Sequence, residues 1–368
     1  MNLLILSSST GGGHNMRAYA LKYWWEKQGG RAKVSHPLES SFALYRMGSN
    51  FYNLIQKYFP AFHYFYFNFL EIASLHRNKS LILGKKSWFD EIGDFKPNLV
   101  LSVHAHLNHG YYELLQDRFS NRLKFAIYCG ELADGIGFSR HWINPKADIF
   151  FGPFEETCSG AIDRGMPQKK TLVVGPLLRK AFYQELTEQE KKEILEKYEI
   201  SLDVPIILLG TGANGVNRHL EILQSLRKYQ STFQVIALCG NNNKIFDKIQ
   251  KVKKLFKFKV SPLKVLDDQE MTLFLREAKF LYARPGAGTT TEAIVCGTPV
   301  IFDISRGVMP QEVNNLNFWK SRASSCISSH RPKNIHHLIN RPLPSIKIEL
   351  GHSPQALLES LNQLCTDL

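Results

Sequence analysis

Several things are missing from this sequence of 368 residues, and each absence narrows what the chain can be. Its six cysteines are scattered, with no Cys-x-x-Cys pair and no histidine at zinc-site spacing, so we expect reduced thiols in a cytosolic protein. No stretch reaches the roughly 18–20 apolar residues of a membrane-spanning helix. Residues 1–6 are too short for a signal peptide and lack its positive lead. These absences predict a chain that is soluble or peripheral on a membrane.

Negative charge is also scarce. Lys and Arg number 46 against 33 Asp and Glu, which gives a net charge of +13. Such a surplus favours a polyanionic partner, namely nucleic acid, an anionic membrane surface or a phosphorylated substrate. No recognised nucleic-acid motif accompanies the charge, so we expect no nucleic-acid partner. The lysine-rich run KIQKVKKLFKFK (248–259) is either a solvated helix face or a patch for lipid headgroups.

Short apolar runs alternate with helix-period segments along most of the chain. NLLIL (2–6), NLVLSV (98–103) and PIILLG (205–210) are typical of strands that are buried on both faces of a parallel sheet. The length exceeds one ordinary hydrophobic core, so two domains are expected. The sequence therefore predicts an α/β fold with two Rossmann-like domains facing a central cleft.

Both halves repeat the order of strand, glycine-containing loop and helix, as LLILSSSTGGGHN (3–15) and IILLGTGANGVN (206–217). We place the N-terminal domain at residues 1–178 and the C-terminal domain at 179–345. Residues 346–368 contain a helix-like segment, which we expect to pack back on the N-terminal domain.

The first glycine-containing loop, STGGGH, matches neither common phosphate-binding fingerprint. It is not G-x-G-x-x-G, it lacks the Gly-Lys-Ser/Thr ending of a P-loop, and it ends in His14. The positive end of the helix dipole favours a neutral imidazole there, the form that accepts a proton. Gly11, Gly12 and Gly13 leave room for a substrate hydroxyl to approach. His14 is thus a candidate base, or alternatively a helix-start residue bonded to local backbone.

A second glycine-containing loop occurs late in the chain, in ARPGAGTTTEAI (283–294). Its glycines form a turn free of bulky side chains, and the three threonines that follow can cap the next helix and offer hydroxyls to a phosphate. Glu292 lies in reach of a pair of ribose hydroxyls, which a carboxylate can bind by two hydrogen bonds. Its alternative role is that of an ordinary first-turn acid.

Two further segments carry open alternatives. MPQEVNN (309–315) offers amides and a carboxylate that can grip sugar hydroxyls, or it is an exposed turn. Residues 42–69 hold many aromatic side chains, including Phe65 and Tyr66, together with basic residues. Such a cluster suits a membrane interface or an acyl-chain groove, or it is a helical pair with buried aromatics.

The motifs taken in order resemble the monogalactosyldiacylglycerol synthase group, with its bacterial processive diacylglycerol glucosyltransferases, in glycosyltransferase family 28. A more distant resemblance is to the peptidoglycan enzyme that adds N-acetylglucosamine to lipid I. The motifs that carry the resemblance are SSTGGGHN near the start, LVLSVHAHLNHG (99–110), VVGPLLRKAF (173–182), LLGTGANG (208–215), ALCGNNNKI (237–245), ARPGAGTTTEAI (283–294) and GTPVIFDISRGVMPQEVNN (297–315).

This resemblance implies a GT-B fold with an acceptor-binding N-terminal domain and a UDP-sugar-binding C-terminal domain. The implied reaction is inverting transfer of a hexose from a UDP-sugar to a lipid acceptor such as diacylglycerol, without a cofactor or a bound metal. The implied location is the cytoplasmic face of a membrane, as a peripheral protein on an anionic surface.

The resemblance also implies roles for single residues. His14 is the candidate base and His104 orients the acceptor, while Gly11, Gly12, Gly13, Phe65 and Tyr66 line the acceptor side. The implied donor-binding residues are Arg179, Gly210, Thr211, Gly212, Gly286, Ala287, Gly288, Thr289, Thr290, Glu292, Gln311, Glu312 and Asn315.

Ser9 is a departure from the family pattern, because plant members carry an acidic residue just before TGGGH. Glu131 or Asp134 is a candidate to take the place of that acid. Two other functions therefore stay open. One is transfer to a polyprenyl-linked or soluble saccharide, and the other is a catalytically inactive nucleotide-sugar-binding partner protein.

Overall fold

The computed structural model describes residues 1–9, 12–41, 67–68, 71, 76–119, 123–210, 218–229, 232–339 and 341–366. The chain divides into two compact units. Unit 1 comprises Met1–Lys180, Met309–Asn315 and Leu350–Leu368, and unit 2 comprises Ala181–Val308 and Leu316–Glu349. Each unit contains one parallel sheet of six strands, so the predicted α/β class is confirmed.

The sheet of unit 1 has the strand order β2-β1-β3-β4-β5-β6. From Leu3 to Leu6, β1 is apolar and fully buried, as expected for a strand with neighbours on both edges and helices on both faces. The strands are β1 (Asn2–Leu6), β2 (Arg31–Ser35), β3 (Leu99–Ser102), β4 (Lys124–Tyr128), β5 (Ile149–Gly152) and β6 (Thr171–Val173). The helices are α1 (Gly13–Lys27), α2 (Pro37–Ser41), α3 (Lys85–Ile92), α4 (Gly110–Phe119) and α5 (Glu155–Asp163).

The sheet of unit 2 has the strand order β12-β11-β10-β7-β8-β9, so that β9 and β12 are its edges. Its strands are β7 (Ile206–Leu209), β8 (Gln234–Leu238), β9 (Val260–Leu263), β10 (Ala278–Ala283), β11 (Val300–Asp303) and β12 (Ile327–Ser329). Its helices are α6 (Glu188–Lys197), α7 (His219–Leu226), α8 (Asn243–Val252), α9 (Asp268–Glu277), α10 (Ala287–Cys296) and α11 (Pro310–Arg322), of which α11 begins within unit 1. Capping boxes fix the starts of α6 at Thr187 and of α9 at Asp267.

Unit 1 also includes two segments from late in the sequence. The C-terminal helix α12 (Gln355–Thr366) buries Leu357 and Leu361, and the side-chain amides of Gln28 and Asn362 exchange hydrogen bonds. Met309–Asn315 also groups with unit 1, although the predicted boundaries put it in the C-terminal domain. The reason is close packing, since a Cβ atom on Gly137 would lie 2.0 Å from the backbone nitrogen of Gln311.

The six cysteines are free thiols, and they are buried or half-buried. Burial raises the pKa of each thiol, to about 11 for Cys158 and to about 12 for Cys296. Within the described ranges, no helix has both the length and the apolar character needed to cross a membrane.

Candidate active site

The strand order of unit 1 brings His14 and His104 together. β1 lies between β2 and β3, so the loops after β1 and β3 leave the sheet at the point where the strand order reverses, which is where ligands bind in open α/β sheets. Leu6 pairs with Ser102, so the two strands end side by side. His14 is the second residue of α1 and His104 follows β3, and their ring centroids lie 4.6 Å apart.

The hydrogen bond of His14 determines its tautomer. Its Nδ1 lies 2.7 Å from the carbonyl oxygen of Val103. Because a carbonyl oxygen only accepts, Nδ1 carries the proton and Nε2 keeps a lone pair. Burial lowers the pKa of His14 to about 4, with a further lowering from the Arg17 charge, so the ring is neutral at physiological pH. The backbone partner lies 89 residues away in sequence, which differs from the local bond of the alternative interpretation.

The loop before His14 is held by a network of short side chains. Gly12 is the N-cap of α1 with φ 77°, a left-handed conformation that glycine adopts without strain. Ser7 donates its hydroxyl to the Asn15 amide oxygen at 2.7 Å, and the Asn15 amide nitrogen lies 3.3 Å from the Ser9 hydroxyl. The His36 Nε2 lies 3.1 Å from the same Asn15 oxygen. Gly11 lies outside the described residues.

Glu39 of α2 supplies a carboxylate to this loop. Its Oε1 accepts hydrogen bonds from the Ser8 hydroxyl at 2.9 Å and from the Ser9 backbone nitrogen at 2.6 Å. An acid therefore contacts the chain at Ser9, where the family pattern has an acidic residue within the sequence itself. Sequence reasoning missed Glu39, because its proximity depends on the pairing of β1 with β2 and not on a local motif.

Arg17 links the surroundings of His14 to Glu131. It lies three residues after His14 on α1, is 5% exposed, and donates a hydrogen bond to the Gly130 carbonyl oxygen at 2.7 Å. Burial raises the pKa of Glu131 to about 7, and the Arg17 charge opposes that rise. Asp134, the other candidate acid, forms an ion pair with Arg164 at 2.7 Å. Sequence reasoning missed Arg17, although its i, i+3 spacing from His14 was a usable signal.

His104 and His14 belong to a larger group of histidines, which we call the imidazole cluster. It contains six of the 13 histidines of the chain. Burial lowers the pKa of five of them, His14, His76, His104, His106 and His109, so these five are neutral in the folded chain at physiological pH. In the described residues, no group of three or more His, Cys, Asp or Glu side chains has the arrangement of a metal site. The cluster comprises His14, His76, His104, His106, His109 and His141. The distance between ring centroids is 5.6 Å for His104 and His106, and 4.7 Å for His106 and His141. It is 6.2 Å for His109 and His141, and 5.9 Å for His76 and His106.

Unit 2 reverses its strand order between β7 and β10, and both predicted donor loops follow these strands. Leu209 pairs with Tyr282, so the two strands end side by side. Gly210 follows β7 and donates its backbone N–H to the Tyr282 carbonyl oxygen at 2.8 Å. The sequence-predicted Thr211 and Gly212 lie outside the described residues. The loop after β10 leads directly into α10.

The N-terminus of α10 is open. Its N-cap is Gly286, with no side-chain cap, and a Cβ atom on Gly286 or Gly288 would meet no described atom within 4 Å. Backbone N–H groups at such a helix start, here those of Ala287 and Gly288, suit an anion.

The predicted capping role of the threonines is wrong, because they lie within α10 and not before it. Thr291 donates its hydroxyl to the Ala287 carbonyl oxygen at 2.7 Å, and Thr290 is 1% exposed. Thr289 is half-buried, as is Glu292, the sixth residue of the helix. Threonine hydroxyls are suited to capping a helix, but here the N-cap is Gly286, which has an extended backbone.

The segment 309–315 forms the start of α11, so its interpretation as an exposed turn is wrong. Glu312 and Asn315 are buried, and Gln311 is half-buried. The Glu312 carboxylate accepts the Met309 backbone N–H at 2.9 Å, so part of its hydrogen-bonding capacity serves the helix start. Arg179 is half-buried near the end of the first segment of unit 1. The predicted acceptor residues Phe65 and Tyr66 lie outside the described residues.

The chain is similar to known proteins in sequence. Residues 206–344 match the glycosyltransferase family 28 C-terminal domain. The chain is 22% identical over 340 residues to the processive diacylglycerol beta-glucosyltransferase of Bacillus licheniformis, covering 89% of this chain and 82% of that protein. It is 23% identical over 342 residues to the chloroplastic monogalactosyldiacylglycerol synthase 3 of Arabidopsis thaliana, covering 85% and 70%.

The fold is similar to that of Arabidopsis thaliana UGT89C1, solved in complex with UDP-L-rhamnose. The TM-score is 0.60 at 13% sequence identity, and 99% of each chain is covered. Together with the two parallel sheets, this similarity confirms the predicted GT-B fold. The chain is a glycosyltransferase with the GT-B fold, and its residues 206–344 match the glycosyltransferase family 28 C-terminal domain.

Proposed function

We propose that the chain transfers a hexose from a UDP-sugar to the hydroxyl of a diacylglycerol-type lipid, with inversion at the anomeric carbon. The observation that carries the proposal is the fixed tautomer of His14, which leaves Nε2 unprotonated on a residue at the strand-order reversal of unit 1. The names of the two relatives support a diacylglycerol acceptor, and the bound UDP-L-rhamnose of the similar structure supports a UDP-sugar donor.

The base acts on the acceptor. Nε2 of His14 accepts the proton of the lipid hydroxyl while the hydroxyl oxygen bonds to the anomeric carbon, and the bond from that carbon to the UDP oxygen breaks. Nδ1 keeps its proton on the Val103 carbonyl oxygen, which holds the ring in one orientation. A base with a pKa near 4 is weak toward a free alcohol, so we expect transfer of the proton only as the new bond forms.

The leaving group is stabilised by unit 2 in this proposal. The open start of α10 binds the diphosphate, and Glu292 binds the ribose. The other predicted donor-binding residues, Arg179, Gln311, Glu312 and Asn315, group with unit 1, and their contact with the donor stays a prediction. UDP then departs without a cofactor or a resident metal ion. The two relatives are named for glucosyl and galactosyl transfer, so the donor is proposed as a hexose.

Glu39 bears on the alternative of an inactive partner protein. That alternative was motivated by Ser9, where the family pattern has an acid. The Glu39 carboxylate accepts a hydrogen bond from the backbone of Ser9, so an acid is present beside the loop after all. This contact favours an active enzyme.

The test is a product screen with the purified full chain. UDP-glucose, UDP-galactose and UDP-N-acetylglucosamine are each incubated with diacylglycerol in detergent micelles, with polyprenyl phosphate and with soluble saccharides. We expect a β-linked glycolipid from the diacylglycerol arm alone, identified by mass and by the anomeric proton coupling. Product only in the polyprenyl or saccharide arm would overturn the acceptor, and an α-linked product would overturn inversion. Absence of any transfer or donor hydrolysis would favour the inactive partner.

A further inference from the structure

Unit 2 concentrates the positive charge of the chain at one edge of its sheet. Residues 243–265, which we call the lysine edge, hold eight lysines against one acid, Asp247, for a net charge of +7 out of +13 for the whole chain. They form α8, the single-turn helix Lys253–Leu255 and the edge strand β9. More than half of the net charge therefore lies in one contiguous segment.

The lysine edge differs from an ordinary solvated helix face because few of its lysines form ion pairs. On α6 of the same unit, Lys191, Lys192 and Lys197 each form an ion pair with a glutamate. Of the eight lysines in the lysine edge, only Lys259 has a described carboxylate within 4 Å, that of Glu199 at 3.8 Å. Seven of the eight are exposed, and Lys253 is half-buried. Lys259 also donates to the Glu199 carbonyl oxygen, and the Lys264 ammonium group lies 5.0 Å from the centroid of the Phe246 ring. The charge of the other six lysines is not paired with any described carboxylate and is available to a partner outside the fold.

Apolar side chains project from the same segment. Leu255 is 62% exposed between Lys254 and Lys257, and Val265 is 66% exposed beside Lys264. An open groove of about 410 Å³ lies between the turn and β9, and its basic lining residues are Lys197, Lys253, Lys254 and Lys259. Exposed aliphatic side chains among lysines are the composition of segments that rest at the boundary of headgroups and acyl chains.

Protection of the sheet edge accounts for only part of this pattern. Lysines beside an exposed edge strand prevent strand pairing between molecules, and Lys259 and Lys264 flank β9 in this way. The six other lysines lie on α8, on the turn and on the residues after it, where there is no strand edge to protect. Of the three phenylalanines in the lysine edge, Phe258 is buried and Phe246 and Phe256 are half-buried, so none is an exposed stacking surface for nucleic-acid bases.

We propose that the lysine edge docks unit 2 on an anionic lipid bilayer, with the lysine ammonium groups on headgroup phosphates and Leu255 and Val265 in the interfacial layer. The inference rests on the proposed function in one respect, because a lipid acceptor requires the enzyme at a membrane. The docking itself needs no turnover, so it can be measured without a known donor or acceptor.

The test is co-sedimentation of the full chain with vesicles of phosphatidylcholine alone or mixed with phosphatidylglycerol. We expect binding to the mixed vesicles that weakens with added salt. Replacing Lys253, Lys254 and Lys257 by Gln removes three charges, and we expect partitioning to fall about 100-fold, roughly fivefold for each charge. Leu255→Ser should also reduce binding, without changing the dependence on salt.

The matched control removes three exposed charges from unit 1. Lys85, Lys86 and Lys96 replaced by Gln give the same net charge and should bind mixed vesicles like the unchanged chain. Equal loss in both triple variants, or equal binding to the two vesicle types, would overturn the proposal. Binding to a single-stranded RNA oligonucleotide that is lost in the 253/254/257 variant, with no vesicle binding, would assign the surface to nucleic acid instead.

The two proposals fail separately. Transfer to diacylglycerol in micelles with vesicle binding unaffected by the 253/254/257 variant would leave the function standing and overturn the docking surface. Lysine-dependent vesicle binding without glycolipid product would do the reverse. Unchanged thermal unfolding of both triple variants serves as the check on folding.

Discussion

The imidazole cluster of unit 1 and the lysine edge of unit 2 are both rich in basic side chains, but only one of them is charged. Burial lowers the pKa of five of the six clustered histidines, so these five stay neutral at physiological pH, whereas the lysines lie at the surface and keep their charge. The excess charge of the sequence thus says little about the chemistry of unit 1. Beside His14, the charge that acts on its ring is the guanidinium of Arg17.

This difference assigns separate tasks to the two regions. A neutral imidazole can accept a proton, and a row of ammonium groups can attract an anionic surface, but neither set can do the work of the other. Substitutions in the cluster should therefore change catalysis, pH dependence and stability. Substitutions in the lysine edge should change association and leave the fold as it is.

The largest effect is expected for His14→Ala. Loss of the base should lower kcat by about 10²–10⁴-fold, while the affinity for UDP measured by calorimetry stays the same. His330→Ala removes an exposed histidine of unit 2 and is the matched control. Unchanged turnover in the His14 variant would contradict the assignment of the base.

Arg17→Met should shift the pH dependence of transfer. The Arg17 charge lowers the pKa of His14 and opposes the rise in the pKa of Glu131, so without it both pKa values rise. The acid limb of the profile of kcat/KM against pH should therefore move upward, by about one pH unit. Arg17→Lys keeps the charge and should leave the limb in place. An unshifted limb in Arg17→Met would mean that the guanidinium acts only through its bond to Gly130.

Stability should fall as the pH drops from about 6.5 to about 4. Over that range, histidines become protonated in the unfolded chain but stay neutral in the folded cluster. This difference lowers the free energy of unfolding by up to about 1.4 kcal/mol per histidine and pH unit. Glu131 acts in the opposite direction, because its raised pKa makes the folded chain bind a proton between about 4.5 and 7. Several histidines outweigh one carboxyl group, so the net change is a loss.

Urea unfolding at pH 7 and pH 5 measures this loss. His106→Asn should reduce the difference between the two pH values, because one buried imidazole is removed, although the variant is less stable at pH 7. His330→Asn should leave the difference as it is, since that ring is exposed. An unfolding free energy that does not change between the two pH values would contradict neutral burial of the cluster.

The smallest effect is expected for Lys248→Gln combined with Lys251→Gln on α8. Both side chains are exposed and neither has an ion pair with any described residue, so the unfolding free energy should change by less than about 0.5 kcal/mol. A loss of more than about 2 kcal/mol would show that these lysines support the fold, and the contrast with the cluster would then disappear.

The sequence predicted the α/β fold because strands buried on both faces are apolar along their whole length. It did not predict the order of the strands, and that order is what places His14 beside His104 and the loop after β10 beside Gly210. Two residues near the loop and the cluster, Glu39 and His141, were missed for the same reason. Glu39 and His141 reach the site through pairing and loop packing, which leave no periodic signal in the sequence.

One local sequence signal, that of the threonines, gave a wrong prediction, and another, that of the histidines, was not used. The threonines after Gly288 have the chemistry of helix caps, but the backbone had already entered the helix at Ala287. Conversely, HAHLNH (104–109) contains three of the six clustered histidines and is visible in the sequence. Its significance depended on burial, because an exposed run of the same residues would keep ordinary pKa values.

The six free thiols give each unit its own reporter of transient opening. Unit 1 contains Cys129, Cys158 and Cys365, and unit 2 contains Cys239, Cys296 and Cys326. Because burial raises the pKa of every one of them, a thiolate forms and reacts with an alkylating reagent mainly when its unit opens. Alkylation rates followed by peptide mass spectrometry therefore time the opening of each unit separately, and UDP should slow the three sites of unit 2 selectively.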